Sequence, residues 1–303
     1  MFEGIWLPIV TPLRNGEVDV DALELLTDKY ASDGVAGIVA LSTTGEAALL
    51  SDVERVTVLQ AITQVAAGRV PVIAGLGGSD TRAFVQDLRT LERWDVAGFL
   101  VPAPSYVCPD QAGLAWHFGQ IARATSKPLV LYDVPHRTGV PIEVETVREL
   151  AEFDNIVAIK ACASERFKAL GQLPISLLCG TDEAFLECLE AGGAGGILAS
   201  AHICPDLLRD VHALAKAGYG EAAARLFERF KGVLRLLFAA PNPSAIKAML
   251  ALDGTLSHET RLPIRPASPA LVTQLEFARA VLDDLRAAAP SSAQGAPRVA
   301  LPR

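Results

Sequence analysis

Eight short apolar runs, each separated from the next by a segment of helical character, constrain this chain more than any other feature. They are Gly4 to Ile9, Val35 to Leu41, Val70 to Ala74, Gly98 to Val101, Leu129 to Leu131, Ile156 to Ile159, Ile175 to Cys179 and Gly196 to Ala199. The runs are continuous rather than alternating, as expected of parallel strands covered on both faces. The intervening segments carry helix signals: Leu23, Leu26 and Tyr30 share one face, and Ser51 with Glu54 makes a capping box for a helix to about Val65. No run is more polar than the others, whereas an open doubly wound sheet, the alternative, would leave two edge strands facing water. The expected fold is α/β, a (β/α)8 TIM barrel.

Past the eighth run the pattern is helical only: Pro205 to Ala217, Gly220 to Ala239, Pro243 to Leu252 and Pro269 to Ala288. Leu226, Phe227, Phe230, Val233, Leu234 and Leu237 fall on one apolar face. The expected organisation is a barrel over 1–203, a C-terminal helical extension over 204–288 beside it, and a disordered tail over 289–303, rich in Ala, Ser and Pro. Apolar surface left over on the extension is available for a subunit contact, and a homo-oligomer, dimer or tetramer, is expected.

With 303 residues, 50% of them hydrophobic, the chain can build a large single core. A net charge of -8 without a basic stripe argues against nucleic acid as a partner. No stretch approaches membrane-spanning length and the N-terminus enters a strand without a leader, so no membrane partner and a cytoplasmic location are expected. Cys108, Cys162, Cys179, Cys188 and Cys204 form no CxxC pair and read as reduced. His117, His136, His202, His212 and His258 lack metal-ligand spacing, so no metal is expected. The glycines at 75–78 and 192–196 do not spell a dinucleotide fingerprint and read as tight turns, so no bound cofactor is expected.

The stretch from Leu129 to Lys160 is one strand, loop, helix, strand unit, with the helix at about Glu143 to Glu152. Strands joined by a crossover helix run parallel, so Tyr132, Arg137 and Lys160 fall along one sheet edge. A lysine closing an apolar strand loses hydration, which favours a free amine able to attack a carbonyl. The alternative is a stem that snorkels out and leaves the ammonium in water. The other residues expected at the strand ends are Thr11, Thr43, Thr44, Tyr106, Thr181 and Asp182. An amine, two phenols, hydroxyls and one guanidinium suit a small carbonyl substrate that carries a carboxylate.

Over Gly4 to Leu271 the chain resembles the pyruvate-dependent class I aldolases, the family of the dihydrodipicolinate synthases and N-acetylneuraminate lyases. The matching pieces are Thr43-Thr44-Gly45-Glu46, Tyr132 to Gly139, Ile159-Lys160, Gly180-Thr181-Asp182, the strand after Gly195, Asn242-Pro243 and Arg261-Leu262-Pro263. The resemblance implies that Lys160 forms a Schiff base with pyruvate and that Tyr132 shuttles protons. It further implies that Thr44 relays them between Tyr132 and a Tyr106 supplied by a neighbouring subunit. Thr43 and Thr44 would hold the pyruvate carboxylate, the Ile197 carbonyl would orient the substrate, and Arg137 would receive the carboxylate of a second substrate. The set with Arg137 resembles the synthases, which use aspartate semialdehyde, more than the lyases.

The rim departs from the synthase pattern. Ser105 stands where a second tyrosine is usual, Val107-Cys108 replaces Asn and a basic residue, Ala161 replaces Glu or Asp, and His202 replaces Asn. Such a rim is also expected of a paralogue acting on another aldehyde or 2-oxo acid. Ala47, Asp52 and Arg55 replace the usual ligands for lysine, so little feedback inhibition is expected. A non-catalytic small-molecule-binding barrel is a third reading, but it has no need of this set of groups.

Overall fold

Eight parallel strands close on themselves in the computed structural model, which describes residues 2–254 and 256–288. In chain order they are β1 (Gly4–Pro8), β2 (Gly37–Ala40), β3 (Val72–Gly75), β4 (Gly98–Pro102), β5 (Leu129–Asp133), β6 (Ile156–Ala161), β7 (Ser176–Cys179) and β8 (Gly195–Ile197). Each pairs with its sequence neighbours, and β8 returns to β1 through Gly4 opposite Gly195 and Trp6 opposite Ile197. No strand of the barrel is an edge, so the closed form expected from the uniformly apolar runs is the one adopted, not the open sheet.

Alternation along each strand divides the buried residues into two layers. Trp6, Val39, Ile73, Leu100, Val130, Ala158, Leu178 and Ile197, at least one from each strand, point inward and pack with Phe2 as the barrel's filling. Their neighbours, among them Leu7, Ile38, Ala74, Val101, Leu131, Ile159 and Leu177, pack outward beneath the helices. Trp6 fills the interior so closely that a Cβ on Gly37 would lie 2.1 Å from its ring. Each of the larger side chains contributes about 1.5–3 kcal/mol by leaving water, and the inward series is what carries a reactive group to the barrel mouth.

The helices follow the sequence expectation with shorter ends. The capping box at the start of Asp52–Ala66 is present, with Ser51 N donating to Glu54 Oε2 at 2.8 Å. The helix between β5 and β6 spans Val144–Leu150, and a single turn, Pro135–Thr138, precedes it where only a loop was expected. The short segments after β6 and β7 begin as tight 3-10 turns, Ser164–Arg166 and Asp182–Ala184. The polar loop at Arg14 to Glu17 is a small ribbon, Leu13–Arg14 against Glu17–Val18, turned by Asn15 and Gly16 with positive φ.

Pro205–Lys216 packs against β1 and against Gly220–Leu237, and Pro269–Ala287 covers Gly220–Leu237 and Ser244–Ala251. Phe227, Phe230, Val233, Leu234 and Leu237 are buried within the chain itself. The expected tail, 289–303, lies outside the described residues.

Two imidazoles are fully enclosed. His202 donates from Nδ1 to the Ala199 carbonyl at 2.7 Å and accepts at Nε2 from Val10 N at 3.0 Å, tying the turn after β8 to the end of β1. His117 sits between Phe84 and Phe118, with Nδ1 2.8 Å from Thr81 Oγ1. Burial pulls both down to about 4. Both rings are therefore neutral in the fold and protonate more readily once unfolded. Their contribution is complete above about pH 6.5 and is lost as pH falls toward 4, about 3 kcal/mol for each. In urea titrations, His202→Asn, which keeps an acceptor for Val10 N, should gain about that much on the wild type between pH 6.5 and 4. Parallel pH dependences for the two proteins would contradict the assignment.

Candidate active site

Register brings the two central residues together. Tyr132 on β5 lies opposite Lys160 on β6, two residues beyond Val130 and Ala158 in the inward series. Both are almost enclosed, at 7% and 6% exposure, and Lys160 Nζ lies 4.3 Å from the centre of the Tyr132 ring. The amine is thus inside the barrel mouth over a phenol ring and has not snorkelled into water. Ile197, 1% exposed, belongs to the same inward series on β8.

The end of β7 makes room for the lysine. A Cβ at Gly180 would meet Cys162 Sγ at 2.6 Å, the Ala161 carbonyl at 3.0 Å and Lys160 Cε at 3.1 Å, so glycine leaves room for the thiol and the lysine stem side by side. Thr181 Oγ1 donates to the Cys162 carbonyl at 2.8 Å, and the buried Asp182 accepts from Ser200 N at 2.7 Å. Burial raises the Asp182 carboxyl, with the bonds from Ser200 and the charge of Lys160 opposing. Burial likewise raises the Cys162 thiol, so this cysteine beside the lysine is a neutral wall group rather than a nucleophile.

Outward neighbours do structural work. Asp133 is fully buried, accepts from Arg166 Nη2 and takes Ile142 N at 3.1 Å, fixing the loop that follows β5. Burial raises its carboxyl, and the bond from Ile142 and the charge of Arg166 oppose. Ala161 also packs outward and is completely buried. A carboxylate at that position would face the helices, so its replacement by a methyl leaves the mouth untouched. His202, the other departure behind the site, is held by Val10 and Ala199 and does not enter it.

The loop after β2 is held from the far end of the chain. Thr44, 3% exposed, accepts at Oγ1 from Asn242 Nδ2 at 3.0 Å. Glu46 adopts a left-handed backbone, φ 55°, and is buried. Its carboxylate takes Lys247 Nζ at 2.5 Å and Arg261 N at 2.7 Å, and Lys247 also donates to the Glu259 carbonyl at 2.8 Å. Burial pulls the Lys247 ammonium down while Glu46 opposes it. Arg261 Nη2 donates to Glu54 Oε1 at 2.6 Å. Thr43-Thr44-Gly45-Glu46, Asn242-Pro243 and Arg261-Leu262-Pro263, separate in sequence, are one contiguous clamp. Sequence reasoning missed Lys247, although a single charge among Ala245, Ile246, Ala248 and Met249 was a signal.

The remaining residues stand at the rim. Thr43 is half-buried, Arg137 is exposed on the turn Pro135–Thr138, and its guanidinium has no ion-pair partner among the described residues. Tyr106 is 95% exposed with φ 72°, on a loop that Cys108 ties down through its thiol, 3.6 Å from the Thr138 carbonyl. Within one chain, then, Lys160, Tyr132 and Ile197 converge in the interior, Thr44 is buried on the loop after β2, and Arg137 and Tyr106 face solvent. No group of three or more metal-ligating side chains occurs among the described residues.

A model of the dihydrodipicolinate synthetase family matches residues 1–280. The chain belongs to this family. It is 37% identical over 279 residues to 4-hydroxy-tetrahydrodipicolinate synthase 2 of Clostridium acetobutylicum, covering 90% of this chain and 98% of that one. The 4-hydroxy-tetrahydrodipicolinate synthase of Methylacidiphilum fumariolicum SolV superposes with a TM-score of 0.91 at 31% identity, over 95% of this chain and 98% of that chain. The chloride-inhibited dihydrodipicolinate synthase of Acinetobacter baumannii, solved in complex with pyruvate, gives 0.90 at 34% identity, over 93% and 99%. This member of the dihydrodipicolinate synthetase family is a lyase, as its named relatives are.

The clamp makes a stability prediction. Lys247→Ala leaves Glu46 charged and buried without its partner and should cost about 3–5 kcal/mol in urea unfolding. The double variant Glu46→Gln, Lys247→Met removes both charges and should lose much less; equal losses would show that the pair itself is not the source.

Proposed function

We propose that this protein joins pyruvate to aspartate semialdehyde through an imine on Lys160, giving 4-hydroxy-tetrahydrodipicolinate. The observation that carries the reading is the enclosed Lys160 amine, 4.3 Å from the centre of the Tyr132 ring at the mouth of a closed barrel. The pyruvate in the Acinetobacter baumannii relative supports the first substrate, and the relatives' common name supports the product.

The amine attacks the pyruvate ketone to give a carbinolamine, which loses water to form the imine. The iminium makes the methyl protons acidic, because the electron pair left by one of them delocalises into the C=N bond as an enamine. That enamine adds to the aldehyde carbon, and the amino group of the semialdehyde then displaces Lys160 and closes the ring. Tyr132 carries protons to and from the carbinolamine and the incoming carbonyl. Thr44 relays them between Tyr132 and Tyr106, the latter supplied by a neighbouring subunit; its exposure supports a role outside its own chain. Thr43 and Thr44 hold the pyruvate carboxylate and the Ile197 carbonyl orients it. Arg137, unpaired at the rim, receives the carboxylate of the semialdehyde. The chemistry runs without a cofactor, in a cytoplasmic dimer or tetramer. Lysine inhibits it weakly, because Ala47, Asp52 and Arg55 stand where polar and histidine ligands for it are usual.

Borohydride added with pyruvate should fix one pyruvate-derived adduct on Lys160 by peptide mass, and Lys160→Ala should show none. Gly180→Ala, which forces the lysine stem aside, should lower turnover about 100-fold. No adduct on the wild type would refute the imine. An adduct with poor use of aspartate semialdehyde would instead move the second substrate to another aldehyde or 2-oxo acid, with N-acetylneuraminate and 4-hydroxy-2-oxo acids the compounds to assay next.

A further inference from the structure

Thr44 is a hydroxyl with one proton and an acceptor oxygen, and the structure determines which of its roles is taken. Asn242 Nδ2 donates to Thr44 Oγ1 at 3.0 Å, so the oxygen is engaged as an acceptor. The Thr44 proton has no acceptor among the described residues. The helix that follows Asn242 is anchored at its start: Ser244 Oγ donates to the Arg265 carbonyl at 2.7 Å, and Lys247 ties that helix to Glu46. The other end of the amide, Asn242 Oδ1, is buried without a partner among the described residues.

We propose that Asn242 is a positioning residue for the imine chemistry: by donating to Thr44 Oγ1 it leaves the Thr44 proton for the reacting groups and so fixes the direction in which that hydroxyl passes protons. The inference rests on the reading that Lys160 forms an imine and that Thr44 serves it. Asn242 touches no substrate and acts through Thr44 alone. The C-terminal helices thereby set the polarity of a relay that belongs to the barrel.

The test uses the full-length protein and pyruvate alone, following exchange of the pyruvate methyl protons into D2O by NMR. Asn242→Asp is isosteric, but as a carboxylate it can only accept, and it draws the Thr44 proton to itself. Exchange relative to wild type should fall about 100-fold at neutral pD. The deficit should shrink as the pD is lowered and the protonated carboxyl can donate again, a recovery that loss of packing would not produce. In a Thr44→Val background the same substitution should have no further effect. An unchanged rate in Asn242→Asp would overturn the inference, and so would a deficit that is equal at every pD and persists beside Thr44→Val. If the aspartate variant does not fold, Asn242→Ala and Thr44→Val decide the matter: non-additive losses support the relay and additive losses overturn it. Wild-type protein that neither exchanges pyruvate protons nor traps with borohydride would instead refute the imine reading.

Discussion

The buried ion pair between Glu46 and Lys247 is the contact on which the arrangement of the mouth depends. Its partners lie 201 residues apart, and both side chains are completely enclosed. Such a pair adds little to stability over well-packed apolar residues, because desolvating two charges offsets most of their attraction. What it provides is placement. The Glu46 carboxylate has acceptor sites for both Lys247 and the Arg261 amide, one oxygen to each, and so ties the loop after β2 to two separate points of the C-terminal segment. Glu46 keeps a left-handed backbone, an uncommon state for a non-glycine residue, in the loop that also carries Thr44.

The barrel was legible because its signal is redundant. Eight runs of similar polarity leave no candidate for an edge strand and place Tyr132 and Lys160 at strand ends, but whether the lysine stem enters the barrel or snorkels into water is decided by its register and enclosure in the structure. The resemblance added the roles. Loop features were harder to read. Tyr106 and Arg137 lie where no periodicity sets side-chain direction. Lys247 was missed for a different reason. An apolar helix containing one lysine announces that the charge is buried, but nothing local names a partner on the other side of the molecule.

Alternation also sorts the departures from the family pattern. Ala161 and His202 look like changes to the site when read along the chain, yet one packs outward and the other is bonded to the end of β1. Ser105 and Cys108 are different: they lie on the loop of Tyr106, and Cys108 packs on the turn that bears Arg137. Variation there can alter what enters the mouth without disturbing the lysine.

This separation follows from where each group gets its rigidity. Lys160, Tyr132 and Ile197 are fixed by strand register, the stiffest part of the fold, and Gly180 leaves room beside the lysine stem. Thr44 is on a loop and cannot borrow that stiffness, so its oxygen is positioned by Asn242 and its loop by Glu46. Arg137 and Tyr106 have neither support among the described residues. A reacting group tolerates little displacement, since misplacement by about 1 Å costs on the order of 100-fold in rate. A cation that only receives a carboxylate at the rim tolerates more. The gradient of constraint, from register to clamp to open loop, therefore matches the precision that each step of the proposed imine chemistry would require.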